Sequence, residues 1–143
     1  GEIKNAPQDP GWDPGEAVAA LTAAAIEEAG WTDRVIVSSF QVPTLLAVQA
    51  ADPRLALGAL WGFAVDPGRA LAEAVESGFA AVHPFVSCVD AELVGRAHAA
   101  GLAINVWTVN APEDLRAMAE WAVDGVITDR LDDALAIAGG GPA

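Results

Sequence analysis

The strongest constraint on this fold is an alternation. Short apolar runs, each closing in polar or aromatic residues, take turns with helical stretches. Residues 102–130 show it most plainly, reading LAINVWTVN, a helical spacer, then DGVITDR. An apolar run, a helix and a second apolar run make one βαβ unit, with its chemistry-bearing residues at the strand ends. Side chains alternate faces along a strand. Ile104, Val106 and Thr108 are therefore expected on one face, and Asn105, Trp107 and Val109 on the other. In a parallel sheet covered by helices both faces are buried. An Asn and a Trp sharing one face there each carry an N–H that needs a partner. Trp107 then has two readings: a core indole with one satisfied hydrogen bond, or the apolar wall of a ligand site at the mouth of a barrel.

The alternation runs the length of the chain. Runs expected as strands begin at Glu2, Val35, Leu55, Phe79, Leu102 and Val126. Periodicity predicts helices over 16–29, 42–51, 69–77, 91–100, 112–121 and 131–138. Gly30, Gly78 and Gly101 serve as helix stops, and Asp90 as an N-cap. Pro112 suits a first helical turn, with Asn110 near the cap. Residues 6–15 carry Pro7, Pro10 and Pro14 and read as a loop. Gly58, inside a strand, suggests a tight barrel bend or close packing. One domain over 1–138 is expected, with 139–143 as a flexible tail.

Repeated βα units imply a parallel sheet. A doubly wound open sheet is disfavoured, because no strand is followed by a glycine-rich phosphate turn. An eight-stranded barrel collects its active site at the carboxyl ends of several strands. That pattern fits better, with roughly two βα units missing from the eight.

Charge narrows the partners. Seven Lys and Arg stand against 20 Asp and Glu, a formal net charge of −13. No basic patch for nucleic acid or an anionic membrane surface can be assembled. An anionic substrate would need a local lysine or a bound metal to reverse the field. The single cysteine, Cys88, excludes an internal disulfide and fits a reducing, cytoplasmic setting. No run approaches the roughly 20 apolar residues of a membrane span, so no stable membrane insertion is expected. No signal peptide is visible, although the chain opens at Gly1 rather than Met, which leaves a preceding targeting segment open. On a strand, Glu2 and Lys4 share one face, with Ile3 opposite. A carboxylate and an ammonium side by side are costly to bury unless paired or bound to something. The other reading is a frayed terminus with solvated charges.

Taken together, GEIKN at 1–5, VIVSSF at 35–40, RAHAAGLAINVWTVN at 96–110 and VDGVITDR at 123–130 resemble the glycerophosphodiester phosphodiesterase family. WTVN followed at this spacing by DGVITD is a fairly specific signature, and the E-x-K on an early strand adds to it. The resemblance covers nearly the whole chain. It implies an α/β fold of the (β/α)8 TIM-barrel type, about six of its eight βα units being present. It implies a metal-dependent hydrolase of lipid metabolism, cleaving small-molecule glycerophosphodiesters to glycerol 3-phosphate and an alcohol. By the same resemblance Glu2 matches a metal-binding carboxylate, with Mg²⁺ or Ca²⁺ as the cation. Lys4 matches a catalytic lysine facing the phosphate. Phe40 and Trp107 match the apolar wall around the glycerol or leaving alcohol, while Ser39 and Asn110 are candidates for polar contacts with substrate. Metal and lysine would make positive charge local within an acidic protein.

The family's His-Arg-Gly, Glu-x-Asp and His-Asp motifs do not occur in these residues. His83 and His98 match neither family histidine. His98 lies in a helix and reads as structural; His83 ends a strand and could touch a ligand. The expectation is a carboxyl-terminal part of such an enzyme, inactive in isolation, with unpaired edges at the strands starting at Glu2 and Val126. Other readings are a non-catalytic phosphodiester-binding or assembly fragment, or a related phospholipase-type barrel. The sequence leaves the oligomeric state open.

Overall fold

A computed structural model describes residues 1–140. Residues 141–143, the end of the expected flexible tail, lie outside the described residues. The elements in order are α1 (Ala17–Glu28), β1 (Ile36–Ser39), α2 (Val42–Ala51), β2 (Ala56–Trp61), α3 (Pro67–Glu76), β3 (Ala81–Pro84), α4 (Ala91–Ala99), β4 (Ala103–Val106), α5 (Pro112–Glu120), β5 (Gly125–Val126) and α6 (Leu131–Ala138). Helices stop where glycine takes a left-handed backbone, at Gly30, Gly78 and Gly101 with φ of 67°, 71° and 79°. The Asp90 carboxylate accepts from the Leu93 amide at 2.8 Å and starts α4. The Asp66 carboxylate does the same for α3, from the Arg69 amide at 2.7 Å.

All five strands are parallel, in the order β1-β2-β3-β4-β5. Neighbours in sequence are neighbours in the sheet. A doubly wound sheet reverses its strand order at a switch point; this one does not, and the arrangement is that of an incomplete barrel. The amino-terminal segment extends the sheet beyond β1 through a parallel bridge between Glu2 and Ser38. Its backbone is held by Ile3 N to Ser38 O and Ser38 N to Gly1 O, both 2.8 Å. Glu2 and Lys4 are therefore part of an ordered strand-like segment rather than a frayed end.

Register separates the two faces. Val37, Leu57, Val82, Ile104 and Val106 point under the helices and are fully buried, joined there by Ile3, Leu45, Val48 and Leu71. Paired residues in a sheet share a face, so Leu60, His83, Asn105 and Gly125 form one row across β2 to β5 on the opposite, concave face. Ser38, Gly58, Ala81 and Ala103 form the row beneath. This concave face is the inside of the barrel.

One expectation is corrected. Strand β4 ends at Val106, and Val109 does not stay on the Trp107 face: it is wholly buried, its amide donating to Ile127 O at 2.9 Å. Asn110 lies beside the cap of α5 as expected: Ala111 holds the cap position without a side-chain bond, and the Asn110 amide donates to Asp129.

Candidate active site

The carboxyl ends of the strands bring together residues far apart in sequence. Phe40 follows β1, Phe85 follows β3 and Trp107 follows β4. Trp107 stands edge to face with Phe40, ring centres 5.6 Å apart and planes at 86°. It also packs against Phe85 at 5.0 Å and 62°. Phe63, beyond β2, continues the row against Phe85 at 6.4 Å. The Trp107 indole N–H donates to His83 O at 2.7 Å, and its ring is the middle of an aromatic row between Phe40 and Phe85. Phe85 and Phe63 were not singled out from sequence; the aromatic residue closing the run at 79–85 was the available signal.

On one flank of this wall lies a cavity of about 280 Å³, lined by Glu2, Lys4, Asn5, Gln8, Asp9, Ser39, Phe40 and Gln41. Phe40 belongs to both the cavity and the wall, so Glu2 and Lys4 stand at the same end of the sheet as Trp107. Among the described residues, the Glu2 and Lys4 side chains form no ion pair. Asn5 fastens the mouth: it donates to Asp13 O at 2.8 Å and accepts from the Asp13 amide at 2.9 Å, pinning the proline-rich loop to the strand end. That amide grip leaves the Asp13 carboxylate to accept from the Ala17 and Gly15 amides, which hold its pKa below the usual carboxylate range. An apolar hollow between α5 and α6, lined by Leu115, Met118, Val126 and Ile137, shares none of the cavity residues.

The remaining sequence candidates are tied into the fold. Ser39 is 1% exposed, donates to Ile3 O at 2.9 Å and accepts from the Gln41 amide at 3.1 Å. Its hydroxyl joins the amino-terminal segment to the turn after β1. Asn110 accepts from the Asp129 amide at 2.9 Å and from Thr128 Oγ1 at 3.1 Å, and donates to the Asp129 carboxylate at 2.9 Å. This explains why WTVN and DGVITDR occur as a pair: the Asn of one ties down the turn of the other. His98 donates from its ring to Asp124 at 2.9 Å, and the same oxygen accepts from the Ile104 amide at 2.8 Å.

A hard divalent cation takes about six to eight oxygen ligands for calcium and near-octahedral ligation for magnesium. No group of three or more His, Cys, Asp or Glu able to hold a metal occurs among the described residues. Glu2 is one carboxylate, and these residues alone do not make a cation site. Among the described residues, no helix is long and apolar enough to cross a membrane.

The model of the glycerophosphoryl diester phosphodiesterase family matches residues 3–133. A curated glycerophosphodiester phosphodiesterase of Caldanaerobacter subterraneus subsp. tengcongensis is 34% identical over 105 residues, 73% of this chain and 42% of that protein. A solved structure from Silicibacter pomeroyi, assigned as a glycerophosphoryl diester phosphodiesterase, superposes with a TM-score of 0.81 at 28% identity, over 97% of this chain and 49% of its own. A phosphodiesterase of Oleispira antarctica, solved with its product sn-glycerol 3-phosphate, shares the fold at a TM-score of 0.71 and 21% identity, over 90% of this chain and 53% of its own. The chain thus spans about half the length of these relatives.

Proposed function

The chain belongs to the glycerophosphoryl diester phosphodiesterase family, and we propose that it forms part of an enzyme hydrolysing glycerophosphodiesters to glycerol 3-phosphate and an alcohol. One observation carries this reading: Lys4 and Glu2 open into a cavity whose wall, Phe40, packs on Trp107. A lysine ammonium at that place would stabilise charge on phosphoryl oxygens as it builds in the transition state. The aromatic row would pack the glycerol or leaving alcohol and exclude water from one side of the reaction. The local ammonium also answers how a chain of net charge −13 would accept an anion.

The reading includes a divalent cation, Mg²⁺ or Ca²⁺, with Glu2 among its ligands. The other ligands and the general acid and base would come from outside the described residues, and this chain in isolation is expected to be inactive. The substrate is a small phosphodiester of lipid metabolism, with no nucleic-acid partner. The lone Cys88 supports a cytoplasmic setting. An assembly role, in which a second chain supplies strands, has support in the outer edges of the amino-terminal segment and of β5, unpaired among the described residues.

The coding sequence ahead of Gly1 tests the proposal. The expected result is an in-frame stretch encoding His-Arg-Gly and Glu-x-Asp, whose joined product releases glycerol 3-phosphate from glycerophosphocholine. A joined product that binds the diester but leaves it intact would overturn the enzymatic reading in favour of the binding one.

A further inference from the structure

We propose that His83 and Asn105 form a positioning pair for Trp107, holding the centre of the aromatic wall from inside the barrel. Three observations meet at this pair. The Trp107 indole donates to the main-chain carbonyl of His83 at 2.7 Å. The Asn105 side-chain amide donates to His83 Nε2 at 3.1 Å. Asn105 precedes Trp107 by two residues, and Trp107 continues the line of β4 through a parallel bridge to Phe85, so the two share the concave face. These contacts close a ring: His83 grips β4 once through its carbonyl and once through its imidazole, with Trp107 and Asn105 as the two ends of the grip.

The glycines give the second, independent line. A Cβ on Gly58 would stand 2.8 Å from His83 Nε2, and a Cβ on Gly125 would stand 2.6 Å from Asn105 Oδ1. Both side chains lie flat over a neighbouring strand, and each neighbour has the one residue type that leaves room. Barrel interiors are usually filled by branched apolar side chains. Here an imidazole and an amide occupy the row directly below the aromatic wall, His83 being 8% exposed. A buried polar group is costly unless satisfied, and the half-buried Asn105 amide supplies the buried His83 Nε2 with its hydrogen bond. The geometry requires the imidazole proton on Nδ1, leaving Nε2 free to accept.

The inference rests on reading Trp107 as the wall of a phosphodiester site, but its test does not require activity. In the ¹⁵N-labelled chain, the Trp107 indole resonance is assigned by its loss in Trp107→Phe. His83→Leu keeps the carbonyl that the indole uses but removes Nε2, the acceptor of Asn105, and so frees the pair that holds Trp107 in place. It should move that resonance and speed its hydrogen exchange by about tenfold or more, leaving the other indoles in place. His83→Gln puts an acceptor where Nε2 stood and should keep exchange within about threefold of the parent. The unaltered chain offers a second measurement: long-range ¹H–¹⁵N spectra should show the Nδ1–H tautomer at His83. An Nε2–H tautomer, or a Trp107 indole indifferent to His83→Leu, would overturn the pair. A joined product that fails to hydrolyse the diester while the pair is intact would instead count against the functional reading alone.

Discussion

Phe40 and Trp107 meet edge to face at 5.6 Å across the concave side of the sheet, although β2 and β3 lie between their strands. Only a curved sheet brings the ends of β1 and β4 this close, so the contact is a direct mark of barrel curvature. It also joins the Lys4 cavity to the aromatic row.

That contact has a measurable energy. Aromatic pairs in this geometry contribute about 0.5–1.5 kcal/mol beyond the area they bury. Urea unfolding of Phe40→Leu, Trp107→Leu and the double variant should give a coupling energy in that range. Additive effects of the two single changes would mean the rings do not meet.

Gly58→Ala places a methyl group against the His83 ring. That ring is walled by β2 and β4 and has little freedom to move. A loss of about 1–3 kcal/mol is expected, typical of overpacking. Gly125→Ala meets only the far end of the Asn105 side chain, which can rotate away, so its cost should be smaller. Equal costs at the two positions would contradict the different settings of the two side chains.

Asn110→Ala removes three hydrogen bonds that hold the turn between β5 and α6. They lie at the surface, where each contributes about 1 kcal/mol or less. The expected outcome is a loss of about 1–2 kcal/mol by chemical denaturation, together with faster amide exchange at Asp129. Unchanged exchange at Asp129 would show that the turn holds without Asn110.

Acid should weaken the fold in two separate windows. Burial, aided by the nearby amino-terminal ammonium, holds the His83 pKa below its ordinary 6.5. As pH falls through about 6.5 the unfolded chain takes up a proton that folded His83 refuses, so stability drops there. For Asp124, burial raises the pKa, but the Ile104 amide and His98 outweigh it and hold the carboxyl below its ordinary 3.8. Its contribution is present above that value and is lost as pH falls through the folded pKa. Thermal melts from pH 8 to 3 should show both declines, and His83→Gln should flatten only the upper one.

Much of this architecture was legible because period and punctuation agreed. The helices Val42–Ala51 and Leu131–Ala138 keep their expected bounds, and Gly30, Gly78 and Gly101 end helices as read. Strands were overrun at their ends: the apolar run at 79–85 forms a strand only over Ala81–Pro84, with Phe85 adding a single bridge to Trp107 and Phe79 buried outside the ladder. Ile3 opposite Glu2 and Lys4 followed from alternation alone. What sequence could not supply was the partner of each polar group. Ser39 and Asn110 carry the right chemistry for a ligand, yet their oxygens are claimed by Ile3, Gln41, Thr128 and Asp129. His83 meets Asn105 through the register of two strands, which no single strand encodes. Gly58 was a visible trace of that meeting, read correctly as close packing but without its occupant.

The most direct measurement is the rate at which the joined, complete barrel releases glycerol 3-phosphate from glycerophosphocholine with Lys4→Ala. The account expects kcat to fall by roughly 10²–10³, the loss seen when one group that stabilises transition-state charge is removed. A variant that folds normally and keeps the parent kcat would take Lys4 out of the chemistry and contradict the site proposed around it.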